Sequence, residues 1–513
     1  MADRTGGDDA PVVVAVDCST TAAKALAVDA DGRTVSSARR DLAVHSPHPS
    51  WHEQDPEDWW TATRDAIAEA VAGLHGRPVR ALCLTHQRES FACLDAADAA
   101  LRPGILWLDG RADEEIAALG SDHVQELSGK PPDVTPALYK LAWLAAHEPD
   151  VLARAERVGD VAACLHRRLT GRWATSTVSA DALGLFDLAR RTWSPELVAM
   201  AGVRVEQLPE LLAPGAPVGA LTAEAAGALG LPSSTPILAG LGDGQAAGLG
   251  AAATDPGTAY LNVGTALVLG VSTPAYVWDR AVRTLAGVAA GTFTPETLLS
   301  SGTYLTTWFR TAFGADGDGR PDEALEQAAA DAGPGAGGLL TLPYWNAAQA
   351  PYWDPLARGA IVGWTGSHTR GHVYRSLMEA CAYEVRLHLD ALERATGTPI
   401  TTIRAMGGGV RSPLWSRLLA DVTARPLQIC EGEEMSAQGA AVLATAGTDD
   451  PQVLADTAAA MAPSTRTVEP DLAAHERYGH LYEAYRGLYP ALRETFATMA
   501  AARRALRSPG ANP

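Results

Sequence analysis

The sequence predicts an α/β protein of two related domains with a cleft between them. Three observations carry this. A chain of 513 residues outgrows one core at roughly 100–200 residues per domain. A strand–turn–strand unit at residues 12–28 has a counterpart of the same design at 258–271, which marks an internal duplication. Several apolar strands end in Gly-rich or polar clusters, where α/β folds gather their ligands. The boundary falls near residues 245–255, giving domains of 11–248 and 249–495.

The first domain opens on Val12–Val16, a β-branched run ending in Asp17-Cys18-Ser19-Thr20-Thr21. Lys24–Val28 is the second strand, Asp29–Gly32 a turn and Thr34–Arg40 the third, an antiparallel meander. A helix follows: Asp55 suits the N-cap, Pro56 the first turn, and Glu57 and Asp58 favour the positive end of its dipole. It runs to about Leu74. Pro78–Thr85 is a strand that stops at His86-Gln87-Arg88-Glu89, and 113–226 reads as largely helical. In the second half, Ile237–Asp243 is a strand followed by an Ala/Gly-rich helix at 244–253. The strands Thr258–Val263 and Ala266–Val271 flank the turn Gly264-Thr265. A Gly-rich loop at 333–338, a long helix at 371–395, a strand at 402–406 ending in Gly407-Gly408-Gly409, and a helix from Ser412-Pro413 complete the pattern. A closing helix with a frayed tail is expected after Tyr485.

Composition excludes several classes. Hydrophobic residues at 47% against 20% charged supply a packed core and argue against disorder. Forty-one Lys+Arg against 60 Asp+Glu give a net charge of −19, which disfavours nucleic acid and anionic membrane surfaces as partners. The six cysteines are scattered with no CxxC pair, so reduced core thiols are expected. No uninterrupted apolar run is long enough to span a membrane, and the polar start MADRTGGDDAP lacks an apolar signal core. The expected compartment is the cytoplasm.

The turns Asp17–Thr21, Gly264-Thr265 and Gly407–Gly409 each follow a strand and expose backbone N–H groups or hydroxyls, the chemistry of an anion nest. Each could be plain hairpin chemistry; together they fit a nucleoside triphosphate held between two lobes. There is no GxxxxGK[ST] and no GxGxxG opening a βαβ unit. Phosphoryl transfer needs charge neutralisation and a carboxylate to take the acceptor proton. Two strand-end acids qualify. Asp17, beside a phosphate turn, suits Mg²⁺ held through water. Asp243, between Gly242 and Gly244, suits a general base, with the glycines leaving room for substrate. Gln87, Arg88 and Glu89 combine donors and acceptors that suit the hydroxyls of a sugar or polyol. Both acids could equally be turn residues, Arg88-Glu89 a surface pair, and His86 a structural hydrogen-bonder. The tryptophans at 51–60, 143 and 345–353 read as core and hinge packing, with one or two able to stack on a sugar.

Nine segments in order make the chain resemble the FGGY carbohydrate kinases over residues 11–490: VAVDCSTTAAKAL, LTHQRESF, LRPGILWLDGR, KLAWL, GLGDGQAAGLG, LNVGTALVL, LPYW…PYWDPLARGAIVG, HVYRSLMEA and MGGGVRSPLWSRLLADV. That resemblance implies a ribonuclease-H-like fold in both lobes, as in the actin/Hsp70/sugar kinase superfamily, with ATP and Mg²⁺ as cofactors and a homodimer by analogy. It implies that Asp17, Ser19, Thr20, Thr21 and Lys24 form the first phosphate motif, with Asp17 nearest the metal. Gly264 and Thr265 fall in the second, and Gly408, Gly409 and Ser412 in the adenosine motif. Asp243 matches the family's base. Arg88-Glu89 is similar to the substrate pair of glycerol kinases, LRPGILWLDGR to xylulokinases. Ser19 stands where the family motif has glycine, Ala347-Ala348-Gln349 where xylulokinases have GER, and Gly244 where Gln or Asn follows the base. The implied activity is ATP-dependent phosphorylation of a terminal hydroxyl, with a ketopentose such as xylulose as first candidate and glycerol or erythritol as second. An actin/Hsp70-like ATPase without sugar acceptor is the rival.

Overall fold

The computed structural model describes residues 10–313, 323–432 and 434–506; the polar N-terminal arm before them and the end of the C-terminal tail lie outside the described residues. Two large sheets organise the chain. The first contains β1 (Val12–Cys18), β2 (Ala22–Val28), β3 (Thr34–Asp41), β4 (Val79–His86), β5 (Pro217–Ala220) and β6 (Pro236–Gly242), in the order β5-β6-β4-β1-β2-β3. β1, β2 and β3 pair antiparallel, whereas β1, β4 and β6 run parallel. The second contains β7 (Thr258–Val263), β8 (Leu267–Val271), β9 (Arg283–Ala286), β10 (Phe293–Leu299), β11 (Thr402–Met406), β12 (Leu427–Cys430) and β13 (Thr465–Val468), in the order β9-β10-β8-β7-β11-β12-β13. Here β7, β11 and β12 are parallel, and β8 and β10 continue antiparallel. Each sheet thus has a three-strand meander whose first strand begins a parallel triplet, the duplicated ribonuclease-H-like layout that the resemblance implies.

In the first sheet the parallel triplet is buried on both faces over most of its length, which explains apolar runs such as Val12–Val16. Every residue of β1 is buried, and helices cover the sheet. One is α1 (Pro56–Ala72), capped as expected: the Asp55 side chain accepts from Glu57 N at 2.9 Å. The long helix at 371–395 is α3 (Arg370–Thr396) in the second half, and α4 (Pro413–Thr423) begins at the Ser412 cap.

The halves meet through two small-residue helices, α2 (Asp243–Gly250) and α5 (Met435–Ala446). They cross backbone to backbone: a Cβ on Gly439 would lie 1.9 Å from Ala246 O, and one on Gly250 2.2 Å from Met435 O. Ala437, Ala440, Ala441 and Leu443 therefore sit in the same core as Val13, Ala81 and Leu238 of the first sheet. The start of α5 is placed beneath the first sheet's strand ends.

Two expectations are corrected, and two strands went unforeseen. The segment 113–226 holds short strands as well as helices: Arg157–Asp160 joins Phe91–Leu94, Gly104–Ile105 and Glu53–Gln54 in a four-stranded sheet. Strands this short carry too few residues for an alternation to show. The closing helix, α6 (Leu472–Leu506), starts well before Tyr485 and continues past Pro490. β9 and β10 were not expected at all; Pro295 and Glu296 inside β10 argue against a buried strand on general grounds. All six cysteines are buried and unpaired. Among the described residues, no helix is long and apolar enough to cross a membrane.

Candidate active site

The parallel register decides which side chains meet. Asp17 on β1 stands level with Thr85 on β4, which stands level with Leu241 on β6. The residues just beyond these positions, Cys18–Thr21, Gln87–Glu89 and Asp243, therefore emerge on one edge. With strands about 4.8 Å apart, Asp17 and Asp243 flank β4 at roughly 10 Å.

Asp17 is buried, and its Oδ1 has no hydrogen-bond partner. Burial, followed by repulsion from Asp243, pushes its carboxyl up to about 8 although Lys24 opposes the shift. Lys24 sits opposite Asp17 in the β1–β2 register, and its Nζ pairs with Glu434 Oε2 at 2.7 Å. Ser19 closes the turn, with its N and Oγ both donating to Ala22 O, at 2.9 and 2.8 Å. Its backbone is not left-handed, so the family glycine is replaced here without strain. Thr20 is fixed from three sides: its Oγ1 donates to Gln87 Oε1 (3.2 Å) and accepts from Trp107 Nε1 (2.9 Å), while its carbonyl accepts from Gln54 Nε2 (2.7 Å). Thr21 is exposed at the tip.

Gln87 is buried and committed to the protein. Its Oε1 takes Thr20 and Ser90 hydroxyls and its Nε2 donates to Gln54, so in this structure the side chain expected to face substrate braces the Ser19–Thr21 turn. His86 is buried, with Nδ1 2.9 Å from Gln87 O.

Arg88 and Asp243 form the centre. Arg88 Nε donates to Asp243 Oδ1 at 2.8 Å, and the N–H of Gly244 donates to the same oxygen at 2.8 Å. Arg88 is buried, whereas the Asp243 side chain is 38% exposed. The flanking glycines make room for Arg88: a Cβ on Gly242 or Gly244 would come within 2.6 Å of its side chain. This explains why Gly244 follows Asp243.

Glu89 is buried with φ +61°, a left-handed conformation that costs a non-glycine residue about 1 kcal/mol and tends to mark functional sites. Its Oε1 lies 3.3 Å from Arg283 Nη1, and burial raises its pKa despite that partner. Arg283 and Glu296, from β9 and β10, were missed by the sequence reading, as were Tyr260 and Trp107. Trp107 lies in a segment already singled out, so only its neighbours could have revealed it. Lys140, from the KLAWL segment, steadies the loop through Trp107 O at 3.1 Å; burial lowers its pKa to about 8. Trp51 and Trp143 clasp Arg111, 3.9 and 5.1 Å from its guanidinium carbon.

In the second sheet, Gly264 and Thr265 form the β7–β8 turn, and their carbonyls accept from Thr303 N and Gly302 N at 2.8 Å. Gly407, with φ +95°, turns the chain after β11 against β7; a Cβ there would meet Asn262 Oδ1 at 2.6 Å. Gly408, Gly409 and Ser412 line a cavity of about 980 Å³ with Tyr374, Leu414 and Trp415, spacious enough for a nucleoside. Ser412 Oγ accepts from Trp415 N at 3.0 Å and donates to Glu326 Oε2 at 2.7 Å.

The model of the N-terminal domain of the FGGY family of carbohydrate kinases matches residues 12–250, and that of its C-terminal domain matches 259–448. The chain belongs to this family. Xylulose kinase of Escherichia coli is 29% identical over 488 residues, covering 93% of this chain and 99% of that protein. Glycerol kinase of Gloeobacter violaceus is 33% identical over 448 residues, covering 85% and 88%. The crystal structure of xylulose kinase from Rhodospirillum rubrum superposes with a TM-score of 0.87 at 31% identity, covering 95% of this chain and 100% of that one. This FGGY kinase is accordingly an enzyme that phosphorylates a sugar or polyol, built on the two-domain actin/Hsp70-like fold.

Proposed function

We propose that this kinase transfers the γ-phosphoryl group of ATP to a terminal hydroxyl of a small uncharged sugar or polyol, with a ketopentose such as xylulose as first candidate. The observation that carries it is the Arg88–Asp243 pair at the strand edge: a half-exposed carboxylate held by a guanidinium, beside a buried carboxylate and a hydroxyl-bearing turn. Asp243 takes the acceptor's hydroxyl proton. Arg88 aims that carboxylate, and Glu89 orients the neighbouring hydroxyls. The Ser19–Thr21 and Gly264-Thr265 turns, with Lys24 once it leaves Glu434, supply donors to the phosphates, and Gly408, Gly409 and Ser412 border the adenosine cavity. In this assignment residues 11–248 carry the acceptor and first phosphate motif, and 249–495 the second motif and the adenosine site.

The residues present fit Mg²⁺. Asp17 Oδ1 is buried without a partner, which suits a carboxylate that meets a cation or its water. Asp17 would hold the ion, which when bound neutralises charge on the phosphates.

An uncharged acceptor is favoured because the cations at this edge are already engaged: Arg88 by Asp243 and Glu296, Arg283 by Glu89 and Glu296, and Lys130 by Asp181. A glycerol- or erythritol-type polyol is the second reading, favoured by the Arg88-Glu89 pair and by the glycerol kinase relative.

The test is ADP release with Mg-ATP across pentuloses, hexuloses, aldonates and polyols against a no-sugar blank. Strong stimulation by one pentulose is expected. Stimulation by a polyol selects the second reading, an aldonate removes the charge argument, and rapid ADP release in the blank favours an ATPase.

A further inference from the structure

Two charged residues of the second sheet reach into the first sheet's strand edge. Arg283 on β9 and Glu296 on β10 are direct cross-strand partners, and both are buried. A buried charge is costly unless paired. Glu296 Oε1 accepts from Arg283 Nε at 2.7 Å and lies 3.3 Å from both Nη atoms of Arg88; its Oε2 accepts from Tyr260 OH at 2.6 Å. Burial pushes the Glu296 carboxyl up, but the guanidiniums of Arg283 and Arg88 outweigh it and hold it at about 2. Its two guanidinium partners thus favour the anion.

The geometry around Arg88 gives this anion a task. A guanidinium is rigid and planar, so fixing its Nη edge also fixes its Nε edge. Glu296 faces the Nη edge and Asp243 the Nε edge. The strands that carry Glu296 are in turn tied to the first half. Thr284 N donates to Gly129 O (2.8 Å), Ala286 N to Asp181 Oδ2 (2.9 Å), and Lys130 Nζ to Thr284 O (2.9 Å).

We propose that Glu296 is a positioning residue for phosphoryl transfer: from the opposite sheet it holds Arg88 so that the Nε edge aims the Asp243 carboxylate, ready before the acceptor arrives. This rests on Asp243 being the base and Arg88 its partner. The value of such a residue lies in preorganisation, since a base that must be reoriented at the moment of reaction loses rate. Its effect should fall on turnover and leave ATP recognition alone.

Glu296→Gln keeps the shape and removes the charge. Its kcat is expected to fall about 10- to 100-fold with the ATP KM within about twofold of wild type. In an Arg88→Lys background, where no planar fork remains to be oriented, the same change is expected to cost less than about twofold more. Unchanged kcat, an equal rise in ATP KM, or losses that multiply in the double variant overturn the proposal. Glu296→Gln leaves Arg88 and Arg283 facing each other, so Tyr260→Phe, which removes one hydrogen bond from Glu296 and leaves its ion pairs in place, serves as the gentler second variant. It should lower kcat about threefold in the wild type and not in Arg88→Lys; equal losses in both overturn the proposal. Asp243→Asn separates the two levels. If it keeps wild-type turnover the base itself is wrong, whereas if it is inactive and the Glu296 and Arg88 losses multiply, only the role of Glu296 falls.

Discussion

Asp17 and Asp243 are the same residue type at equivalent places, the C-terminal ends of parallel strands on either side of β4. Their surroundings differ in every other respect. Asp17 is buried with one oxygen unpartnered, and burial lifts its carboxyl to about 8. Asp243 is half-exposed, and one of its oxygens receives both Arg88 Nε and Gly244 N. A carboxylate taken out of water without a partner favours a proton or a cation; one held by donors with its other side in the cleft is poised to receive a proton from substrate. Strand position therefore brings both acids to one edge, and under the proposed function their neighbours divide their work.

The largest effect should come from breaking this division at Asp243. Asp243→Asn is expected to lower kcat by about 1,000-fold or more while Mg-ADP affinity, measured by calorimetry, stays within about threefold. Comparable losses of nucleotide affinity in the Asp17 and Asp243 variants would show that the two acids share one role. Arg88→Met comes next. It should reduce kcat/KM for the acceptor by about 100-fold with little change in the ATP KM, because Arg88 touches Asp243, the proposed base, and not the Ser19–Thr21 or Gly264-Thr265 turn. A smaller loss is expected from Gly244→Ala, whose Cβ would lie 2.6 Å from Arg88 Nη2. Turnover about tenfold lower with unchanged melting temperature would place the damage in the aim of Arg88; wild-type turnover would show that Arg88 has room to move.

The comparison also marks where sequence reading succeeds. The strand ends were legible because long apolar runs stop abruptly at Asp17, His86 and Gly242, and parallel pairing puts such ends side by side. The meander, the duplicated layout and the Asp55 cap were legible for similarly local reasons. What was not legible is the partner of each side chain. Gln87 was expected in the cleft and is instead spent on Thr20 and Gln54. The glycines around Asp243 were read as room for substrate and serve Arg88. Arg283 and Glu296 went unseen because β10 contains Pro295, a poor signal for a strand, and because their reason for being charged lies some 200 residues away at Arg88 and Glu89. Long-range pairing of buried charges leaves no periodicity to read.

The smallest expected effect isolates Asp17 without any turnover. Burial pushes its carboxyl from the ordinary 3.8 up to about 8 in the fold. Below pH 3.8 both states hold the proton and Asp17 is neutral in the balance. Between pH 4 and 8 the native state keeps a proton that the unfolded chain releases, so stability falls as pH rises, and above about 8 the full cost of the buried charge is present. Asp17→Asn removes that titration. The ligand-free variant should melt with the wild type near pH 4 and about 2 °C or more above it at pH 8 by differential scanning fluorimetry. Mg-ADP should reverse the order at pH 8, because the wild type gains a cation beside Asp17 and the variant has no charge to offer it. A variant that melts below the wild type at both pH values would mean that Asp17 is a structural hydrogen-bond acceptor, and its contrast with Asp243 would disappear.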